Sequence, residues 1–167
     1  MHRGMTSTLK TKQPKPTAAH QRLAVFIAVG PASPQTFDPR TDMIDHTGVG
    51  VANVSVSAAF YDAALGALGM HRAAQMPEGA GADGVEYGVD YPVFWINKFH
   101  PHSIKQRTAF AASSRAAVDA FHSAALGAGG TDHGSPGARK NQSTPTYYAA
   151  FVLDPDGKNM EAVFCGK

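Results

Sequence analysis

The sequence predicts an α+β fold made of two tandem βαβββ modules. Two observations carry this expectation. The segment 59–69, Ala-Phe-Tyr-Asp-Ala-Ala-Leu-Gly-Ala-Leu-Gly, returns at 120–130 as Ala-Phe-His-Ser-Ala-Ala-Leu-Gly-Ala-Gly-Gly, identical at eight of eleven positions, with Ala59 and Ala120 offset by 61 residues. A period of 61 is too long for a solenoid unit and suits a small α+β module. Around each copy the apolar spacing runs strand, helix, strands.

In the first half, 44–51 alternates as a strand, with Ile44, His46, Gly48 and Gly50 on one face and Asp45, Thr47, Val49 and Val51 on the other. Asn53 or Ser55 offers an N-cap. Val56, Phe60, Ala64 and Leu68 recur at i, i+4 and predict a helix over 56–68, with Gly69 placed to end it in a left-handed conformation. Strands are expected at 70–76, 85–89 and 92–97, with a Gly-rich loop at 79–84. The second half repeats the order. A strand at 107–112 precedes a helix capped by Ser114, whose buried stripe is Val118, Phe121, Ala125 and Leu126, stopped by Gly129-Gly130. Residues 134–145 read as a polar Gly/Pro-rich loop, 147–153 as a strand, Asp154-Pro155-Asp156-Gly157 as a tight hairpin turn, and 159–164 as the last strand.

The composition narrows the functional classes. At 167 residues, one domain is expected. The first 42 residues carry six Lys/Arg against two Asp, and the remainder carries nine Lys/Arg against eleven Asp/Glu. The acid-poor, Pro-bearing start reads as a disordered or leader segment, with Met43 opening the folded domain at 43–167, divided into modules 43–104 and 105–167. A cytoplasmic location is expected, or an organellar one if residues 1–42 are a transit peptide. The mildly acidic body lacks the electrostatic footprint of a nucleic-acid binder, and no apolar run approaches a membrane span. Cys165 is the single cysteine, which excludes an internal disulfide framework.

Three stretches carry a family resemblance: Met43-Ile44-Asp45-His46-Thr47-Gly48-Val49, Ala59-Phe60-Tyr61, and the ending Tyr148-Ala149-Ala150-Phe151-Val152-Leu153-Asp154-Pro155-Asp156-Gly157-Lys158-Asn159-Met160-Glu161-Ala162-Val163. With the doubled module, they resemble the glyoxalase / bleomycin-resistance / extradiol-dioxygenase superfamily, also called vicinal oxygen chelate. The ending is similar to that superfamily's Asp-Pro-Asp-Gly-Asn-x-Ile-Glu pattern. The resemblance covers about residues 43–166. It implies that the modules form a curved, cup-like mixed β-sheet with the helices outside, that a small molecule binds inside the cup, and that the protein is a homodimer.

The resemblance also sets a metal expectation. Metal-dependent members bind a divalent cation through four inward residues, His or Glu, from the first and last strand of each module. Imidazole and carboxylate suit Zn²⁺, Ni²⁺, Fe²⁺ or Mn²⁺ and leave positions for two adjacent substrate oxygens. His46 and Glu161 match two of the four places. The third is Arg107, which is permanently cationic and cannot ligate a metal. The fourth falls within Phe94-Trp95-Ile96-Asn97. His46 and Glu161 are therefore the metal candidates of an incomplete site, with Asn97, His100 and His102 in reserve, and the expectation is a protein without a resident metal.

Without a metal, Arg107 becomes an anchor for a carboxylate or phosphate. Glu161 and His46 become the catalytic candidates, as general base and proton relay. Trp95, Phe94, Asn97, Tyr147 and Tyr148 become walls and contacts of a substrate pocket. An Arg107–Glu161 ion pair with no ligand role is the plain structural alternative. Three readings stay open: a glyoxalase-like lyase or isomerase acting on a small, oxygenated, anionic molecule, or a dioxygenase if iron binds; a non-catalytic sequestering protein of the bleomycin-resistance type; and a structural relic of the fold. The loops 77–84 and 134–146 are expected to rim the cup.

Overall fold

The computed structural model describes residues 44–76, 83–140 and 146–166. The expected leader, most of the Gly-rich loop and the end of the second loop lie outside the described residues. In the first half, β1 (Thr47–Gly50) leads into α1 (Val54–Gly66), β2 (His71–Met76), β3 (Gly84–Gly88) and β4 (Pro92–Asn97). The second half gives β5 (Arg107–Ala111), α2 (Arg115–Gly127), β6 (Thr131–Ala138), β7 (Tyr147–Leu153) and β8 (Asn159–Cys165). The mixed β layer is realised as two four-stranded sheets, ordered β1-β4-β3-β2 and β5-β8-β7-β6. In each, the first strand runs parallel to the last and the other pairs are antiparallel.

Both helices start where a side chain can satisfy their first amides. Asn53 Oδ1 accepts from the Val56 amide at 3.0 Å, and Ser114 Oγ accepts from the Ala117 amide at 3.1 Å. Each cap stabilises its helix by about 1 kcal/mol. Both ends use a positive-φ glycine, Gly69 and Gly129. The α1 stripe differs from the expected one. Val56 is exposed, and Val54, Ser57, Ala58, Phe60, Tyr61, Ala64 and Leu65 are buried. The helix begins two residues earlier than the i, i+4 count suggests, and its inward face follows the i, i+3, i+4, i+7 arc from Val54 through Tyr61. On α2, Val118, Phe121 and Ala125 are buried as expected, while Leu126 is exposed.

The second correction is β6. The segment expected as a loop from Gly134 begins inside a strand, paired antiparallel to β7 with register shifts between Asp132 and Gly134 and between Gly134 and Gly137. The stretch Thr-Asp-His-Gly-Ser-Pro-Gly-Ala has turn composition. It pairs anyway because β6 is an edge strand, where proline and bulges are tolerated.

The two halves share one core. Phe94 meets Phe110 edge-on at 5.0 Å, and Tyr61 packs on Phe94 and Tyr87. Gly130 lies where the halves approach, since a Cβ there would sit 2.7 Å from Phe60 and 2.6 Å from Val152. The 154–157 turn is also a joint. Its backbone closes through Gly157 N to Asp154 O at 2.8 Å. Asp154 accepts from the Tyr61 hydroxyl at 2.8 Å, Asp156 accepts from the Ala52 amide at 3.1 Å, and fully buried Lys158 pairs with Asp156 at 2.7 Å. Burial, then the charge of Asp154, pushes the Tyr61 hydroxyl well above its usual range.

Candidate functional site

Strand alternation divides each sheet into a helix-packed face and a helix-free face. On β8, Met160 and Ala162 enter the core, so Glu161 lies on the helix-free face. The register sets Ala109 and Phe151 beside it. Arg107, one β5 step from Ala109, reaches Glu161 Oε2 through Nε at 3.0 Å and through a second guanidinium nitrogen. The Tyr147 hydroxyl donates to Oε1 at 2.5 Å. Both carboxylate oxygens are thus occupied. Glu161 is fully buried while 54% of the Arg107 side chain remains exposed, so the pair presents a guanidinium to solvent over a concealed carboxylate. Burial, then the hydrogen bond to Glu161, pushes the Tyr147 hydroxyl up to about 12.

Two further residues share this face. The Phe151 ring lies 5.8 Å from the Arg107 guanidinium carbon and 5.2 Å from that of Arg139. Arg139 also donates to the Ser135 carbonyl at 2.7 Å and the Ala149 carbonyl at 3.1 Å. Sequence reasoning singles out neither. Phe151 was within its reach, since Tyr147, Ala149 and Phe151 alternate onto one face. Arg139 was not, because its position depends on strand β6, which the composition disguises as a loop.

Module one places different chemistry at the equivalent positions. Trp95 pairs with Gly48 as Glu161 pairs with Ala109, and Gly48 and Ala109 are one 61-residue period apart. Trp95 therefore holds the place of Glu161, and His46 the place of Arg107. The His46 ring stacks on Trp95 at 5.2 Å and 15°. Its Nδ1 meets Asp45 Oδ1 at 2.6 Å, and the Tyr91 hydroxyl donates to the same oxygen at 3.1 Å. The bond from His46, then that from Tyr91, holds the Asp45 carboxyl below its usual range. Where module two has an ion pair, module one has an aromatic stack.

Two expected wall residues lie elsewhere. Tyr148 is on the helix-packed side, its hydroxyl donating to Asp119 at 2.8 Å with the Arg115 guanidinium 5.3 Å from its ring. Adjacent residues of a strand point to opposite faces, so Tyr147 and Tyr148 cannot line one pocket. Phe94 is in the core for the same reason. Asn97 is on the helix-free face of module one and is nearly fully buried. The reserve histidines diverge: His100 Nδ1 lies 2.9 Å from Asn97 Oδ1, and His102 Nε2 lies 3.6 Å from Asp156.

Comparison with solved structures decides the family. A glyoxalase/bleomycin resistance protein from Albidiferax ferrireducens T118 is 34% identical, over 71% of this chain and 95% of that one, with a TM-score of 0.56. The chain belongs to the glyoxalase/bleomycin-resistance superfamily. A glyoxalase/bleomycin resistance protein/dioxygenase family enzyme from Burkholderia phytofirmans PsJN is 16% identical over 74% of this chain and 98% of that one, at a TM-score of 0.56, and shows the same fold. A mutant glyoxalase I from Zea mays is 18% identical over 71% of this chain and 45% of that one, at a TM-score of 0.52. No family sequence model and no curated protein sequence matches the chain.

The metal chemistry of glyoxalase-superfamily enzymes does not fit these residues. Of the four ligand places, one is a tryptophan and one an arginine whose charge opposes a cation. Glu161 has both oxygens engaged by Arg107 and Tyr147, and His46 is tied to Asp45. Among the described residues, no group of three or more His, Cys, Asp or Glu side chains converges on one point. No helix of the described residues is long and apolar enough to cross a membrane.

Proposed function

We propose that this glyoxalase-superfamily protein works without a resident metal and captures a small, oxygenated, anionic organic molecule on the helix-free face of module two. The observation that carries the reading is the half-exposed Arg107 guanidinium above buried Glu161. Glu161 holds the guanidinium on one edge and leaves the rest of its donors toward solvent. A planar fork of that kind suits a carboxylate or phosphate. The charges support it, since the Arg107 and Arg139 guanidinium groups both lie against the Phe151 ring, and Tyr147 stays neutral at physiological pH. His46 and Trp95 would supply the apolar, stacking surface contributed by module one. Anion titration by calorimetry tests this. Arg107→Ala should weaken binding of the preferred carboxylate at least tenfold, with Arg107→Lys in between. Equal affinity in all three proteins refutes the reading.

Turnover is the second reading, and the hydrogen bond from the Tyr147 hydroxyl to buried Glu161 favours it. An arriving anion that draws Arg107 away would leave Glu161 and Tyr147 sharing one proton, a general acid–base pair suited to isomerase or lyase chemistry. Glu161→Gln should then abolish turnover while leaving affinity within a few fold. Unchanged activity in that variant removes Glu161 from the mechanism.

We also infer a homodimer. Ile44, Val89, Tyr91 and Val93 leave apolar surface exposed around the ends of β4 and the entry to β1. Light scattering that finds only a 17.5 kDa species at micromolar concentration overturns this.

A further inference from the structure

The helix-free face of module one contains two buried N–H donors that lack an acceptor. Asn97 is 2% exposed, and its Nδ2 has no hydrogen-bond partner among the described residues; the same holds for Trp95 Nε1. Buried polar atoms of this kind are rare in folded proteins and call for an explanation. The amide orientation of Asn97 is set by its other end. Oδ1 receives the amides of Phe99 at 3.0 Å and His100 at 3.2 Å, so it must be the oxygen and Nδ2 must be the donor turned the other way. That oxygen also fixes His100, whose Nδ1 at 2.9 Å must carry the proton.

Nδ2 is turned toward a space left by a glycine. A Cβ built on Gly48 would lie 3.6 Å from Asn97 Nδ2, 3.7 Å from Trp95 Cβ and 3.8 Å from His100 Cε1. These are ordinary van der Waals distances, so one atom of methyl or oxygen size fits there, and an acceptor slightly nearer the amide makes a normal hydrogen bond. The next glycine on this face, Gly50, is different. A Cβ there would lie 2.4 Å from the His100 carbonyl oxygen and 2.7 Å from that of Pro101. The segment after β4 crosses the sheet at Gly50 and brings the exposed His100 over the space at Gly48.

We propose that Gly48, Trp95 Cβ, Asn97 and His100 border a niche for a single carbonyl-type oxygen, the acceptor of a small amide or carboxylate, held by Asn97 Nδ2–H. The niche borders the Trp95 wall of the proposed anion site, takes no donor from Arg107, and selects for hydrogen-bond acceptance rather than charge. Entry requires the His100 side chain to move aside, because Asn97 Nδ2 is buried.

Trp95 is the single tryptophan and its Cβ borders the space, so its indole N–H gives one resolved resonance close to the niche. The experiment titrates the full-length protein with acetamide and acetate and follows that resonance together with the Asn97 side-chain amide. Both compounds are expected to shift the two signals saturably. Gly48→Ala, which fills the space without a clash, should weaken the response at least tenfold while the melting temperature stays within a few degrees of the parent; Asn97→Asp, which keeps the Oδ1 acceptor and removes the amide donor, should weaken it likewise and also melt lower, because it buries a carboxylate. In Arg107→Ala the acetamide response should persist unchanged, so the niche stands or falls apart from the anion site. A response equal in the parent, Gly48→Ala and Asn97→Asp overturns the proposal. So does a parent protein whose indole and amide signals respond to neither compound, the result expected if a trapped water is the permanent occupant.

Discussion

Removing Arg107 isolates the energetics of the candidate site. Arg107→Ala deletes two charge-assisted contacts to a carboxylate with no exposure of its own, leaving Glu161 with the Tyr147 hydroxyl alone. A hydrogen bond to a charged group contributes about 1.5–3 kcal/mol. Solvent around the half-exposed guanidinium pulls the value toward the lower end. We expect a loss of about 2 kcal/mol, or roughly 6 °C in Tm for a domain of this size. Glu161→Gln keeps an acceptor for Tyr147 and removes the charge, at a cost of about 1 kcal/mol. The double variant should be hardly worse than Arg107→Ala alone, because the guanidinium and the carboxylate each lose most of their value without the other. That gives a coupling energy of about 1 kcal/mol. Urea unfolding followed by Trp95 fluorescence measures all four proteins, with m required to stay constant. Losses that add to within about 0.3 kcal/mol would show that Glu161 does not depend on Arg107, and the reading of a guanidinium held in place by a buried carboxylate would fail.

Other outcomes follow from the same structure. Gly130→Ala drives a Cβ against Phe60, Val152 and the Ala125 carbonyl and should destabilise by about 1–3 kcal/mol in thermal unfolding. Gly66→Ala adds a methyl with nothing within 4 Å at the last residue of α1 and should stabilise by about 0.5 kcal/mol; a loss would mean that α1 does not extend to Gly66. All five tyrosine hydroxyls are shifted upward, Tyr147 to about 12 through burial and then Glu161. A raised folded-state pKa contributes stability that is complete below the unfolded value near 10 and is lost as pH climbs through the folded one. Ultraviolet titration should therefore show the native phenols ionising later than in urea, with stability falling between about pH 10 and 12; coincident curves would refute the tyrosine contacts. Arg107→His replaces the opposing charge with a ligand and should bind Zn²⁺ or Ni²⁺ more tightly than the parent by elemental analysis; equal metal content in both would show that Arg107 is not what keeps a cation out.

Much of the fold was legible because short-range rules set it. The caps at Asn53 and Ser114, the glycines closing each helix and the 154–157 turn all act within a few residues, and the internal repeat is read directly from the string. The elements that escape a sequence reading depend on neighbours. Strand β6 looks like a loop because its glycines and proline favour turns, and only the free edge of the second sheet makes pairing tolerable there. Tyr148 looks like a pocket residue because it is aromatic and adjacent to Tyr147, whereas the pleat sends the two to opposite faces.

The site divides along the same line. From its residues the sequence determined that Glu161 follows the Asp-Pro-Asp-Gly turn on the last strand and that the halves are related by 61 residues, and the family resemblance added that Arg107 interrupts a ligand set. These are local identities and a period, which a linear string contains. The tertiary structure decided that Trp95 stands in the place of Glu161, that Arg107 and Tyr147 occupy both of its oxygens, and that Arg139 shares the Phe151 ring. It also decided that Asn97 is buried with a donor turned toward Gly48. Each of these depends on sheet register between residues tens of positions apart. A shift of one residue would turn every one of those side chains to the opposite face.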